Sequence, residues 1–342
     1  MAESMEYRYL GRSGLKVSVL SYGNMTSGMG LFSGKKDVYD IAIENHHQEL
    51  MEKCISLGIN FFDTAEIYGY GLSEVYLGNN IKRGNWDRDE LIITTKFNPR
   101  SGGIQGNSRK RLRQGIKQSL KRLQLDNVDI VYLHRPDKDV PLKEQISALN
   151  EMIENDQAYY WGTSEFSAES LSEIFGICQK YGFIEPIVEQ CEYNMLSRKR
   201  FEVEYAPIFD EYKLGTTTWS PLYGGMLSGK YNDGKIPNDS RFGQNNWDLE
   251  KSAEFLQGLG QVANDLGCTQ AQLAIAWILK NPDVSTVLFG ATSVNQIENN
   301  CGAIKVVEKL DNVVLERIEK LLDNRPSPSM NWRTFTPKAY RR

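Results

Sequence analysis

Asn60-Phe61-Phe62-Asp63, Leu91-Ile92-Ile93-Thr94-Thr95-Lys96 and Val128-Asp129-Ile130-Val131-Tyr132-Leu133-His134 follow one pattern: a short run rich in β-branched and aromatic residues that stops on an ionisable side chain. Five further runs, which stop on a small or polar residue instead, occur at Val17 to Gly23, Ala158 to Ser164, Ile187 to Gln190, Gly215 to Ser220 and Ser285 to Gly290. Their length and composition predict eight strands. The segments between them carry helical spacing. Leu50, Met51, Cys54, Leu57 and Ile59 recur with a period near 3.6 and stop at Gly58, while Leu112, Ile116, Leu120 and Leu123 mark one face of a helix from Arg109 to Leu125. Thr269 is an N-cap for a helix to Leu279, stopped by Asn281-Pro282.

Eight strands, each followed by a crossover long enough for a helix, call for parallel pairing. An open doubly wound sheet and a closed (β/α)8 barrel both satisfy that requirement. The polar stops separate them. In a barrel the C-terminal ends of all strands meet at one mouth, so Asp63, Lys96, His134, Ser164, Gln190, Ser220 and Gly290 face a shared site. An open sheet brings together only the strands at its switch point. The expected fold is therefore an α/β (β/α)8 TIM barrel, with residues 1–342 as a single domain. The stretch from Tyr223 to about Asp248, rich in Gly, Asn, Asp and Ser, is read as a long loop over the mouth. Beyond Leu322 the chain, with Pro326, Pro328 and Pro337, reads as a surface or partner-bound tail over residues 323–342.

The 342 residues carry a net charge of −4. Their two basic clusters, Arg109-Lys110-Arg111-Leu112-Arg113 and Arg198-Lys199-Arg200, are read as helix starts or solvated faces, which argues against a nucleic-acid partner. Cys54, Cys178, Cys191, Cys268 and Cys301 are odd in number and widely spaced, as expected for reduced thiols in a cytoplasmic compartment with no metal site. Neither a secretory leader nor a run of 18 apolar residues is present, so no membrane insertion is expected.

Asp63, Tyr68, Lys96 and His134 combine into proton-transfer chemistry. A tyrosine is a weak acid at neutral pH, and a nearby ammonium lowers its pKa, so Lys96 is expected to pull Tyr68 down. A buried lysine needs a carboxylate, for which Asp63 is suited. A neutral His134 then holds a substrate oxygen by hydrogen bond. Each residue also has a plain structural reading: Lys96 as a snorkelling surface lysine, Asp63 as a helix cap, Tyr68 as a loop aromatic. His46 and His47 precede a helix and are expected to be solvated. Gly69-Tyr70-Gly71 and Gly28-Met29-Gly30 both lack the third glycine of a dinucleotide fingerprint, and no GxxxxGK[ST], HExxH or GxSxG is present.

At these residues the chain resembles the aldo-keto reductase superfamily. Asp63-Thr64-Ala65-Glu66-Ile67-Tyr68, Thr95-Lys96 and Gly162-Thr163-Ser164 carry the likeness, which runs from Tyr9-Leu10-Gly11-Arg12 to Gly302-Ala303-Ile304. Tyr160-Trp161-Gly162-Thr163-Ser164, Thr218-Trp219-Ser220-Pro221-Leu222, Ser228-Gly229-Lys230-Tyr231 and Gln272-Leu273-Ala274-Ile275-Ala276-Trp277 are similar to the branch containing voltage-gated potassium channel β-subunits. The resemblance implies a barrel with a cofactor-covering loop and an extra C-terminal helix, NADP(H) as cofactor, and reduction of small aldehydes and ketones. It implies Tyr68 as proton donor, Lys96 and Asp63 as its tuning pair, and His134 as the residue that orients the carbonyl. Ser164 and Gln190 would hold the nicotinamide carboxamide, with Trp219 beside the ring. Ser220, Pro221, Leu222 and Gly224 would follow the pyrophosphate, Lys230 and Arg241 the phosphates, and Gly290, Thr292, Gln296 and Asn300 the adenosine. The branch also implies a homotetramer, or a channel or other assembly as partner, and a regulatory or scaffold role as the alternative to turnover. This chain departs from the channel subunits at His134, where they usually carry Asn, and at Glu165, Asn299 and Met25, where they carry Arg, Glu and Trp. His134 is the residue of active reductases; the other three alter the expected cofactor grip and substrate cavity.

Overall fold

The computed structural model describes residues 5–26, 38–101, 106–234 and 249–327. A hairpin comes first, β1 (Tyr7–Tyr9) and β2 (Lys16–Ser18), paired antiparallel. Eight strands then close into a barrel: β3 (Leu20–Gly23), β4 (Phe61–Asp63), β5 (Ile92–Phe97), β6 (Val128–Leu133), β7 (Ala158–Ser164), β8 (Val188–Glu192), β9 (Gly215–Trp219) and β10 (Thr286–Phe289). All eight pairings are parallel, and the last strand closes on the first through Val287↔Leu20. The expected (β/α)8 barrel is thus the observed fold.

Helices cover the outside. They are α1 (Ile41–Ser56), α2 (Leu72–Gly84), α3 (Arg109–Leu123), α4 (Leu142–Glu154), α5 (Ala168–Tyr181), α6 (Ala206–Tyr212), α7 (Leu249–Asp265), α8 (Gln270–Leu279), α9 (Val294–Cys301), α10 (Ala303–Val307) and α11 (Asn312–Leu322). Their starts are set by short polar side chains that accept the otherwise unpaired first amides: Asp40, Ser108, Ser167, Thr269, Ser293 and Asp311. Thr269 and Gln272 complete a reciprocal capping box.

Two sequence expectations change here. The run from Val17 to Gly23 is not one strand: Val17 and Ser18 belong to the hairpin and only Leu20 to Gly23 enter the barrel. The break is fixed by Val19 donating its amide to Glu6 O at 2.9 Å and by the Ser18 hydroxyl donating to Leu20 O at 2.6 Å. The basic clusters also are not wholly solvated. Arg111 is buried against Glu66 at 2.5 Å, and Arg198 is buried between Glu202 and Glu319, tying the loop after β8 to the extra C-terminal helix α11. Of the long stretch from Tyr223, the described part, residues 223–234, opens with a turn of 3-10 helix over Tyr223–Ser228; residues 235–248, including Arg241, lie outside the described residues.

The hairpin explains where the site must lie. Leu10 and Val17 pack with Phe61, Ile92, Ile130, Tyr132, Ile187 and Val188 in an apolar cluster inside the lower barrel, separate from the larger core between strands and helices. Each such side chain contributes roughly 1.5–3 kcal/mol on burial. Side chains alternate across a strand, so stepping by two from this plug gives the next inward layer. Phe61 leads to Asp63, Ile92 to Thr94 and Lys96, Tyr132 to His134, and Val188 to Gln190. The same parity takes Tyr160 to Ser164. The plugged end is apolar, and the polar layers can open only at the other.

Outside the barrel, α2 and α3 meet at Gly78. A Cβ built there falls 2.1 Å from the backbone carbonyl oxygen of Leu123, which no side-chain rotation can relieve. Gly78→Ala is expected to force the helices apart and cost about 1–3 kcal/mol, read as a lowered midpoint in urea unfolding; an unchanged midpoint would refute this packing.

Candidate active site

Lys96 sits at the centre of the inward polar layer with no exposed surface. Each of its three ammonium donors has an acceptor: the Asp63 carboxylate in a short ion pair, the Thr64 carbonyl at 2.7 Å and the Tyr68 hydroxyl oxygen at 3.4 Å. Asp63 is as buried as its partner. Its other oxygen accepts from the Thr94 hydroxyl at 2.7 Å and from the Gln190 amide at 3.1 Å. Gln190 also donates to the Thr217 hydroxyl at 3.3 Å. A buried charge pair is tolerable when its remaining bonding capacity is filled in this way.

Tyr68 and His134 stand over this pair, their rings edge to face with centroids 5.7 Å apart. Because Lys96 donates to the phenolic oxygen, the phenol keeps its own proton for another acceptor. The sequence expectation of a lowered phenol pKa is corrected: burial raises it above the ordinary tyrosine value, against the lowering by Lys96, with Asp63 adding to the rise. His134 is held neutral well below the usual histidine value, first by burial and then by the charges of Lys96 and Arg135. Its Nδ1 is buried and has no protein partner among the described residues.

The other strand ends form the rest of the mouth. Ser164 is buried, and its hydroxyl oxygen accepts from Arg135 at 3.0 Å. Trp219 ends β9 half-buried, its indole N–H donating 2.9 Å to Glu165. Glu165 lies in a left-handed conformation, φ 62°, and accepts as well from the Glu192 amide at 2.7 Å and from Arg200. One carboxylate thereby links the ends of β7, β8 and β9.

After β9 the backbone changes hand repeatedly. Ser220, Tyr223, Gly224, Gly225 and Gly229 all have positive φ, producing a curled loop in which three of these five positions are glycine. Lys230 is exposed, its ammonium 4.8 Å from the centre of the Tyr231 ring. Pro221 is buried and Leu222 half-buried. Beyond β10, Gly290 is exposed, Thr292 donates its amide to Gln296 at 2.8 Å, and Asn300 is buried. Met25 is half-buried and Asn299 accepts from Thr269 and Gln272.

Sequence reasoning did not assign Thr94, Thr217 or Arg135 to the site. The two-residue period could have found the threonines, each two positions before a chosen residue. Asn24 and His47 carried no such signal. His47 is not solvated as expected: it lies inside α1, which begins nine residues before Leu50, the first residue of its apolar spacing, because Asp40 caps it. His47 and Asn24 share a short hydrogen bond of 2.5 Å, Asn80 donates to His47 Nδ1 at 2.9 Å, and Asn24 donates to the Asp63 carbonyl at 3.0 Å. Helix α1 thus braces the end of β4 at Asp63 through a buried polar chain.

The fold and this layer define a barrel whose mouth holds a buried acid and a neutral imidazole. The profile of the aldo/keto reductase family matches residues 24–323, and the chain belongs to that family. It is 40% identical over 341 residues to a probable voltage-gated potassium channel subunit beta of Arabidopsis thaliana, covering 96% of this chain and 100% of the relative. The protein of the same name in Oryza sativa subsp. japonica is 40% identical over 338 residues, with 96% and 100% covered. A putative voltage-gated potassium channel subunit beta of Schizosaccharomyces pombe is 40% identical over 337 residues, with 95% of each chain covered. Among the described residues, no helix is long and apolar enough to cross a membrane.

Burial moves the His47 pKa from 6.5 to about 3. Its neutral form therefore stabilises the fold above pH 6.5, and that contribution is lost as pH falls toward 3. Between pH 6.5 and 5 the wild type should lose roughly 2 kcal/mol relative to His47→Gln. Urea unfolding of both proteins across this range tests it, and a constant difference would contradict a buried neutral imidazole.

Proposed function

We propose that this protein reduces aldehydes and ketones to alcohols with NADPH, using Tyr68 as general acid. The observation that carries the reading is the Lys96 ammonium bonded to the Tyr68 oxygen: the phenol is protonated, aimed into the mouth, and next to a cation that favours the phenolate left after proton release. The residues present fit the cofactor. Ser164 and Gln190 offer polar groups beside the acid, Trp219 offers a fixed ring face, and the loop from Ser220 to Gly229 offers backbone at three glycines, Gly224, Gly225 and Gly229. Lys230 supplies a cation at the far end of that loop for an additional phosphate, a role the resemblance also gives to Arg241, outside the described residues, and Gly290, Thr292, Gln296 and Asn300 take the adenosine. When bound, the reduced nicotinamide supplies the hydride.

The chain's own groups handle the oxygen. His134 is neutral, so its ring can donate one hydrogen bond to a carbonyl oxygen without adding a charge that would disturb Lys96. Tyr68 gives its proton to the same oxygen as negative charge develops there. Lys96 and Asp63 hold the phenol in place and stabilise the anion it becomes. The raised phenol pKa of the free protein suits this role: the proton is retained until an alkoxide, a far stronger base, appears. Free cysteines, five in all, accord with a reducing cytoplasmic setting, and we infer one domain over the full chain.

The relatives named as channel subunits support a second reading, a regulatory subunit that binds the same cofactor with little turnover. It predicts recovery of a potassium channel with the tagged protein from detergent-solubilised native membranes, and recovery without any channel would count against it. The reductase reading predicts NADPH oxidation with a panel of aliphatic and aromatic aldehydes. Tyr68→Phe should lower kcat by roughly 10²–10⁴-fold while NADPH affinity, measured by fluorescence titration, changes little. Turnover unaffected by loss of the hydroxyl would sink the acid assignment.

A further inference from the structure

Arg135 follows His134 directly and reaches the Ser164 hydroxyl at the end of β7. A single nitrogen, Nη1, makes both of its anchoring bonds, to the His134 carbonyl at 2.5 Å and to the Ser164 hydroxyl at 3.0 Å. Nε and Nη2 make no hydrogen bond to the described residues, and the side chain is only half-buried. Two fixed contacts and two unused donor groups describe a guanidinium held in position with its fork still open.

Its charge is also uncompensated. Arg88, Arg111, Arg122 and Arg198 each have a carboxylate within 3 Å: Asp129, Glu66, Glu74 and Glu202. No carboxylate among the described residues forms an ion pair with Arg135. The acidic groups around it are engaged elsewhere. Asp63 is paired with Lys96, and Glu165 with Arg200, Trp219 and the Glu192 amide. Asp137 accepts from the amides of Asn107 and Asp139. A half-buried cation without a counterion attracts an anion more strongly than a solvated one does.

The place of the charge says which anion. Arg135 is the chain neighbour of His134 and bonds its carbonyl, the centroid of the His134 ring lies 5.7 Å from that of Tyr68, and the guanidinium's second bond is to Ser164 at the end of β7. Its charge also helps to hold His134 neutral, after burial and Lys96. It therefore lies close to both groups assigned to the carbonyl oxygen. The curled loop and Lys230, which suit phosphates, follow β9 instead. An anion at Arg135 would accordingly belong to the substrate.

We propose that Arg135 is a specificity-determining residue that binds a carboxylate on the substrate, so that the preferred substrates are formyl or oxo acids. The proposal rests on the reductase reading for its carbonyl half only. A planar guanidinium with open donors matches a carboxylate in two-point contact, which fixes the orientation of the attached carbonyl as well as its position.

The test compares 4-carboxybenzaldehyde with 4-methylbenzaldehyde, which have similar size and differ in charge. In wild type the carboxylated aldehyde should have a kcat/KM at least tenfold higher. In Arg135→Gln the ratio should fall to near one, mainly through KM, and Arg135→Lys should restore only part of it. Equal kcat/KM values in wild type, or a ratio unmoved by Arg135→Gln, would overturn the proposal. A titration with terephthalate in the presence of NADP, followed by calorimetry, reads the site without turnover. Wild type should bind it at least tenfold more tightly than Arg135→Gln, with affinity falling as salt rises. If wild type reduces neither aldehyde, the reductase reading fails, and the titration still decides whether Arg135 is a carboxylate site: equal binding by wild type and variant rejects it.

Discussion

A lysine with no exposed surface is the constraint on which the site depends. Removing an ammonium from water is costly by several kcal/mol unless charge and hydrogen bonds replace the lost hydration. Asp63 brings the charge, while Thr64 and Tyr68 complete the shell. The requirement then spreads outward. Asp63 must itself be satisfied, which engages Thr94 on β5 and Gln190 on β8, and its backbone is braced by Asn24. The polar layer is thus the solvation shell of one buried cation, built from side chains on several strands. The aldo/keto reductase family assignment gives this shell its chemical context, and the same contacts that make Lys96 tolerable leave the Tyr68 proton directed at the mouth.

Electrostatics at Tyr68 are a contest between two effects that sequence reading could name but not weigh. The neighbouring ammonium lowers the phenol pKa; the dry surroundings and the Asp63 carboxylate raise it, and together they win. The ion pair explains the outcome. Asp63 cancels much of the field of Lys96 at the phenol, whereas the desolvation has no such counterweight. In the proposed reaction Lys96 therefore serves as a hydrogen-bond donor that fixes the phenol and receives the anion, rather than as a device for ionising it beforehand.

The barrel and the inward residues were legible in the sequence because both rest on periodicity. A two-residue alternation ending in Asp63, Lys96, His134 and Gln190 survives without knowledge of the helices. What was not legible depends on long-range approach. His47 carries no mark of its burial, since Asn24 and Asn80, which satisfy its ring, lie 23 and 33 residues away. Glu165 stood out as an unusual residue, yet its bond to Trp219 spans 54 positions. The boundary at Val17 to Gly23 failed for another reason: hairpin strand and barrel strand are both β-rich, and only the hydrogen bonds at Ser18 and Val19 separate them.

Closure of the ring through β10 and β3 has a consequence for how the chain is made. The seam pairs Val287 with Leu20, more than 260 positions apart. Translation proceeds from the N-terminus, so β3 exists as an unpaired edge while the remaining strands are still being added, and the apolar faces of Leu20 and Tyr22 have no final partner until the end. Seven strands and most of the inward polar layer can be in place before the last edge arrives. Parallel pairing across such a distance is slow. The nascent protein is therefore at its most vulnerable to association with other chains when its polar layer is nearly assembled.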